Sequence, residues 1–191
     1  MNVLAVDVGG THVKILASGQ EERREFPSGP ALTAEQMVRG VKELAGGWKY
    51  EAVAIGYPGP VLHGRPVLEP HNLGPGWVGY DYGAAFGCPV KVINDAAMQA
   101  LGSYQGGKLL FLGLGTGLGS TMILDGIVEP MELGGQGVAV DASPGKLRQD
   151  CLAVAAVYRQ YVAKLTVIGE SFQGAFGHGV YREGRGQRLY I

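Results

Sequence analysis

The stretch LAVDVGGTHVK, residues 4–14, combines an apolar run with a carboxylate and a pair of glycines. A strand is predicted over 3–8, because this run is short, apolar and partly β-branched. Gly9 and Gly10 let the backbone turn tightly and let another group approach it closely. A second apolar run follows, so the stretch indicates a β-hairpin with Asp7 close to its tip.

Two interpretations of this hairpin tip follow from its chemistry. Backbone N–H groups converge at such a turn, Thr11 adds a hydroxyl, and together they would cradle an anion such as phosphate. The neighbouring carboxylate of Asp7 would then hold the metal ion that accompanies phosphate. An ordinary glycine-rich hairpin with a surface aspartate explains the stretch equally well, so both interpretations stay open at this point.

A related pattern occurs further along the chain, in LLFLGLGTGLGSTMILDG. An offset of 105 residues places Gly10-Thr11 on Gly115-Thr116, again between two apolar runs. The carboxylate does not recur, because Leu112 stands where Asp7 would. Two phosphate-cradling turns, one of them with a metal-holding acid, would suit two lobes that hold a phosphoryl donor. Neither turn matches a P-loop or a dinucleotide-binding fingerprint.

Composition narrows the class of protein. With 191 residues the chain can form one large domain or two small lobes around a real core. The net charge is −1, and no basic run offers a footprint for nucleic acid. Cys88 and Cys151 lack a C-x-x-C spacing and predict reduced thiols. Without a signal peptide or an apolar run of membrane length, the sequence predicts a cytoplasmic protein that binds neither membrane nor nucleic acid.

Strands that alternate with helices predict α/β architecture. Thr33 is expected to cap a helix over 34–45, and another helix is expected over 95–104. A seam between two lobes is predicted at Gln105, so that the lobes comprise residues 1–105 and 106–191. The remaining strands are predicted at 13–18, 52–57, 90–93, 109–113, 120–124 and 127–131.

Three further stretches place polar groups where a ligand could bind. They are AIGYPGPV with its turn at Gly59, PHNLGPGW with Asn72, and VKVINDAAMQALGS with Asn94 and Asp95. Asp95 follows a predicted strand, and in an open α/β sheet ligands bind beyond the carboxyl ends of the strands. The simpler interpretation of Asp95 is an N-cap, a role that aspartate fills well. The two interpretations are compatible, since a capping carboxylate can also take a proton from a substrate hydroxyl.

Six motifs resemble those of the ROK family of sugar kinases and, within that family, those of the polyphosphate glucokinases most. In chain order they are DVGGTHVK, GYPGPV, PHNLGPGW, INDAAMQALGS, FLGLGTGLGSTMILDG and EPMELG. The resemblance covers about residues 1–134 and implies an actin-like, ribonuclease H-like fold of two α/β lobes. It also implies transfer of phosphate from polyphosphate or ATP to the 6-hydroxyl of glucose, with Mg²⁺ as cofactor. A homodimer is a further implication of the family.

The resemblance implies roles for individual residues. Asp95 would be the general base, and Asp7 would hold Mg²⁺ through water. The sugar-binding residues would be Gly59, Asn72, Asn94, Asp95 and Glu132. The phosphate-binding residues would be Gly9, Gly10, Thr11 and Lys14 in a first loop and Gly115, Thr116 and Gly117 in a second.

The sequence departs from the family pattern after about Gly134. A helix is expected from Pro144 to Leu165, followed by a strand at 167–169 where the family has an adenosine segment. Residues 170–191 indicate either a solvated, flexible tail or an arginine-bearing patch for an anionic polymer. The second lobe is therefore expected to be incomplete, and a non-catalytic sugar-binding remnant of a ROK kinase is the alternative to an active kinase.

Overall fold

The computed structural model describes residues 1–114, 118–131, 164–169, 180–183 and 186–189. The chain divides into two compact units, Met1–Met98 and Gln99–Ile191, and each has its own large sheet. The predicted division at Gln105 stays a prediction. Within the described residues, no helix is long and apolar enough to cross a bilayer.

The first part of the chain forms a mixed sheet with short helices. Its elements are β1 (Val3–Val8), β2 (His12–Ala17), β3 (Arg24–Pro27), α1 (Ala34–Leu44), β4 (Ala52–Tyr57), β5 (Val61–Leu62), β6 (Arg65–Pro66), α2 (Tyr82–Phe86), β7 (Val90–Asn94) and α3 (Asp95–Ser103). Five strands form one sheet in the order β3-β2-β1-β4-β7. β1 to β3 make an antiparallel meander, whereas β1, β4 and β7 run parallel. This combination confirms the predicted α/β class.

The alternation of residues along β1 decides which face of the sheet is the core. Leu4, Val6 and Val8 have no exposed surface, whereas the odd-numbered residues between them, including Asp7, are half-buried. The apolar side of α1 adds Met37 and other fully buried residues to the same core cluster. A polar residue in β1 therefore lies opposite the main core, on the other face of the sheet.

The second unit repeats the beginning of the first unit's strand order, an antiparallel meander of three strands followed by a parallel strand. Its elements are β8 (Lys108–Leu114), β9 (Leu118–Leu124), β10 (Ile127–Met131), β11 (Lys164–Gly169), β12 (Val180–Glu183) and β13 (Gly186–Leu189). The sheet order is β10-β9-β8-β11-β13-β12. β8 to β10 again form an antiparallel meander, and β11 again runs parallel to the first strand of that meander. The repeat suggested by the two glycine-threonine turns thus extends to the strands around them.

The structure corrects several sequence predictions. β3 and α2 were not predicted, because β3 lacks a continuous apolar run and α2 has only five residues. The helix expected to reach Leu165 is wrong at its end, since β11 begins at Lys164, where β-branched residues follow. The rest of that predicted helix lies outside the described residues. β12 and β13 form strands in the stretch for which a tail is predicted.

Thr33 caps α1 as predicted, through a reciprocal pair of hydrogen bonds. The N–H of Gln36 donates to Thr33 Oγ1 over 3.3 Å, and the N–H of Thr33 donates to Gln36 Oε1 over 2.9 Å. Two N–H groups that the first helical turn leaves without helical partners are therefore satisfied.

We expect Thr33→Ala to lower the free energy of unfolding by about 1 kcal/mol, because it removes the capping hydroxyl. Thr33→Ser keeps that hydroxyl and should stay within a few tenths of a kcal/mol of the parent. Urea-induced unfolding of the full chain measures both values. Equal losses for the two variants would contradict the assignment of the cap.

Candidate functional site

The carboxyl ends of the three parallel strands meet along one row of the first sheet. Asp7 of β1 is in register with Gly56 of β4, and Gly56 is in register with Ile93 of β7. Parallel neighbours in register point to the same face of a sheet. The Asp7 carboxylate therefore lies on the face toward which Gly56 points, at the edge where ligands of α/β proteins bind.

The start of α3 packs against this face at Gly56. A Cβ at Gly56 would lie 2.7 Å from Met98 Cε and 3.3 Å from Asp95 Cα. Glycine is thus the residue that lets the helix carrying Asp95 come this close to the sheet. The strand register and this close approach together bring Asp7 and Asp95 to one face at one edge of the sheet.

The loop between β1 and β2 is closed by its own backbone. The N–H of Gly9 donates to the carbonyl of His12 over 3.0 Å, and a Cβ at Gly9 would lie 2.9 Å from that carbonyl oxygen. A side chain at this position would therefore clash with the backbone. Gly10 and Thr11 form the tip, and the hydroxyl of Thr11 lies 3.3 Å from His12 Nδ1.

Asp7 stands directly opposite Lys14 in the antiparallel pair of β1 and β2. Both side chains are half-buried, so a carboxylate and an ammonium share this face next to the glycine loop. In the described residues no group of three or more His, Cys, Asp or Glu side chains could hold a metal ion. Mg²⁺ is often bound by one or two carboxylates, with water and substrate phosphate completing its shell, so the single carboxylate of Asp7 fits a water-mediated Mg²⁺ site.

The residue that caps α3 is Asn94 rather than Asp95. Asn94 Oδ1 accepts the N–H of Ala97 over 3.1 Å, which is the contact of an N-cap. Asp95 is the first helical residue, and its Oδ1 accepts the N–H of Ala96 over 2.8 Å. The N-cap interpretation of Asp95 is therefore corrected, because the strand continues through Asn94 and the helix begins at once.

Asn94 also ties the end of β7 to the turn after β4. Its Nδ2 donates to the carbonyl of Gly59 over 3.2 Å, so two of the predicted sugar-binding residues are in direct contact. Tyr57 precedes this turn and is fully buried, with its hydroxyl donating to the carbonyl of Leu68 over 2.7 Å. Burial raises the pKa of the Tyr57 phenol above its ordinary value of 10.0, and the Glu69 carboxylate adds to the rise. The phenol is thus a neutral, structural support for the turn.

Asn72 lies on a different, firmly anchored loop. The N–H of Gly74 donates to the carbonyl of Leu32 over 3.0 Å, and the indole N–H of the buried Trp77 donates to the carbonyl of Gly74 over 2.7 Å. Glu69 accepts the backbone N–H of Trp77 over 3.1 Å. Asn72 itself is exposed, and within the described residues no hydrogen bond joins it to Asn94.

The remaining predicted site residues lie outside the described residues. They are Glu132 and the three residues of the second loop, Gly115, Thr116 and Gly117. The strands that lead into and out of that loop, β8 and β9, are paired along their whole length.

A family model for the ROK family matches residues 3–142 of the chain. The protein belongs to the ROK family. The match extends a little beyond Gly134, where the sequence motifs end, and it includes every predicted site residue.

One relative in sequence and two solved structures show how this chain compares with other proteins. The bifunctional enzyme NanE/NanK of Brucella melitensis is 34% identical to this chain over a match that covers 65% of this chain. The same match covers only 27% of the Brucella enzyme. An inorganic polyphosphate/ATP-glucomannokinase from Arthrobacter sp. superposes with a TM-score of 0.69 at 25% identity, covering 88% of this chain and 83% of the other. A ROK family glucokinase from Streptomyces griseus, solved with glucose and AMPPNP, has a TM-score of 0.57 at 26% identity, covering 69% and 47%. These likenesses support the actin-like α/β fold.

Two residues that support the candidate site are not predicted from the sequence. Ser28 contacts the glycine loop from β3's side of the sheet, and no local pattern marks a contact between residues so far apart in the chain. Gly56 faces α3, and its signal was a glycine inside an otherwise apolar strand, which often marks a close approach of another backbone.

We expect Gly56→Ala to lower the free energy of unfolding by about 1–3 kcal/mol, because the added methyl group overpacks the contact with α3. The flexible end of Met98 can move aside, but Asp95 Cα is backbone and can yield only if the helix shifts. Urea-induced unfolding measures this cost.

Gly102→Ala is the matched control for this substitution. Gly102 lies in α3, and apart from its own helix and chain neighbours no atom of the described residues lies within 4 Å of an added Cβ. Alanine there should therefore raise stability by up to about 1 kcal/mol. A Gly56→Ala variant as stable as the parent would show that α3 does not need this close approach.

Proposed function

We propose that this ROK protein is a sugar kinase that transfers a phosphoryl group from polyphosphate or ATP to the 6-hydroxyl of glucose. The hydroxyl oxygen of the sugar attacks the terminal phosphorus and loses its proton to Asp95. A new O–P bond forms while the bond to the bridging oxygen of the donor breaks. The products are glucose 6-phosphate and either ADP or a polyphosphate shortened by one unit.

One observation carries this proposal: the register of Asp7, Gly56 and Ile93 at the carboxyl edge of the sheet. Phosphoryl transfer to an alcohol needs little covalent help from the protein. It needs a base for the hydroxyl proton and a positioned, charge-neutralised phosphate. A carboxylate on α3 and a carboxylate beside a glycine loop, on one face of the sheet, are suited to these two tasks.

Asp95 is suited to the role of general base by its fixed orientation. The N–H of Ala96 holds one carboxylate oxygen, and the side chain is half-buried. In this proposal Asn72, Asn94 and the Gly59 turn bind the other sugar hydroxyls, together with Glu132. The contact between Asn94 and Gly59 would keep two of these groups at a constant separation.

The donor phosphates would bind at the first glycine loop. The N–H groups of Gly10 and Thr11 and the ammonium of Lys14 would bind phosphate oxygens, and Asp7 would hold Mg²⁺ through water. When bound, Mg²⁺ would neutralise charge on the transferring phosphate. Gly115, Thr116 and Gly117 would form a second phosphate loop.

Two solved relatives support the choice of substrates. The Arthrobacter protein is an inorganic polyphosphate/ATP-glucomannokinase, and this chain covers 83% of it. The Streptomyces griseus protein is a ROK family glucokinase solved with glucose and AMPPNP. The chain spans about a quarter of the Brucella relative, so the activity of that bifunctional enzyme is not transferred to it.

We expect the purified full chain to form glucose 6-phosphate in the presence of Mg²⁺, with polyphosphate and ATP tested in separate reactions. Asp95→Asn should lower kcat by about 10²–10⁴-fold, because it removes the base but keeps the size of the side chain. A coupled glucose 6-phosphate dehydrogenase assay measures the product directly.

Asp125→Asn is the matched control for the loss of a carboxylate. Asp125 is exposed in the turn between β9 and β10 at φ 49°, a conformation that asparagine adopts readily. The control should retain the parent's turnover. A folded parent chain that binds glucose but turns over neither donor would reject the kinase in favour of a sugar-binding protein, and full activity of Asp95→Asn would reject Asp95 as the base.

A further inference from the structure

Ser28 holds the glycine loop between β1 and β2 by two hydrogen bonds. Its Oγ–H donates to the carbonyl of Gly9 over 2.6 Å, and its N–H donates to the carbonyl of Thr11 over 2.9 Å. Ser28 follows β3 directly and its side chain is half-buried. A residue from outside the hairpin thus binds the loop at both ends of its tip.

These bonds set the direction of the loop's carbonyl groups. The carbonyls of Gly9, Thr11 and His12 all accept hydrogen bonds from within the first unit. Among the described residues, no backbone carbonyl accepts a hydrogen bond from the N–H of Gly10 or of Thr11. Carbonyl oxygens repel an anion, whereas N–H groups attract it, so the orientation of these peptides decides whether the loop can bind phosphate.

The geometry points to Ser28 as a positioning residue for the phosphoryl donor. Its hydroxyl keeps the Gly9 carbonyl turned toward Ser28. The Gly10 N–H belongs to the same planar trans peptide and points the opposite way, so it is left to meet the donor's phosphate oxygens. This inference rests on the proposed function, because it takes the first loop as the phosphate site. It adds a residue outside the glycine motif that would act on the donor through the loop.

A positioning role and a purely structural role make different predictions. If Ser28 only stabilises the hairpin, its loss lowers the free energy of unfolding and leaves the folded enzyme's kinetic constants unchanged. If it orients the loop, its loss raises the KM for the donor and leaves the KM for glucose unchanged, because the sugar-binding residues lie on other loops.

We expect Ser28→Ala to raise the KM for polyphosphate and for ATP by about 3- to 10-fold, the effect of losing one hydrogen bond that supports the bound state. The KM for glucose should stay within about twofold of the parent's. Ser28→Thr keeps the hydroxyl and should restore the parent's donor KM. Steady-state kinetics on folded, full-length protein provide all three values.

Ser18→Ala is the matched control at the opposite end of the same two strands. Ser18 Oγ accepts the N–H of Val3 over 2.9 Å and donates to its carbonyl over 3.3 Å, so this variant also loses serine hydrogen bonds to β1. Its donor KM should equal the parent's. An unchanged donor KM in Ser28→Ala, or an equal rise in Ser18→Ala, would overturn the inference.

A second readout separates this inference from the proposed function. Tripolyphosphate with Mg²⁺ should shift the backbone amide resonances of Gly10 and Thr11 in the parent and in Ser18→Ala, and do so at higher concentration in Ser28→Ala. If the parent shows no kinase turnover but these shifts occur, the proposed function fails while the role of Ser28 stands. Absent shifts in the parent, or identical titrations in all variants, would overturn the role of Ser28.

Discussion

The packing of α3 against Gly56 is the contact on which the candidate site depends. With no side chain at this position, α3 comes so close that a Cβ there would lie only 2.7 Å from Met98 Cε and 3.3 Å from Asp95 Cα. The strand register fixes Asp7 in the same row, so this contact brings Asp95 to the face of the sheet that carries Asp7. A side chain at position 56 would require Met98 Cε to move aside and Asp95 Cα to shift by a few tenths of an ångström.

The two sheets share a meander followed by a parallel strand, and they differ after that point. In the first unit the next strand, β7, continues the parallel run. In the second unit β13 instead pairs antiparallel with β11 and forms a hairpin with β12. A parallel strand needs a long crossover connection, whereas a hairpin needs only a short turn. The change in topology falls in the same stretch where the sequence leaves the ROK motifs.

Short-range sequence patterns were enough to predict several elements of the first unit. The apolar run at β1, the capping threonine of α1 and the strand-to-helix transition at Asn94 and Asp95 all depend on neighbouring residues. The bond from Ser28 to Gly9 joins residues brought together only by the sheet, so no local pattern predicts it. The cap was assigned to the wrong one of two adjacent residues, since Asn94 and Asp95 have nearly equal capping preferences and the exact start of the helix decides between them.

The most direct measurement is a crystal structure of the full chain with glucose, Mg²⁺ and AMPPNP. The site described here predicts the glucose 6-hydroxyl within hydrogen-bond distance of an Asp95 carboxylate oxygen, with the donor's terminal phosphate at the Gly10 and Thr11 amides. It also predicts a Mg²⁺ ion bridged to Asp7 by water. Glucose bound away from the carboxyl edge of β1, β4 and β7, or a phosphate that does not contact the first glycine loop, would contradict it.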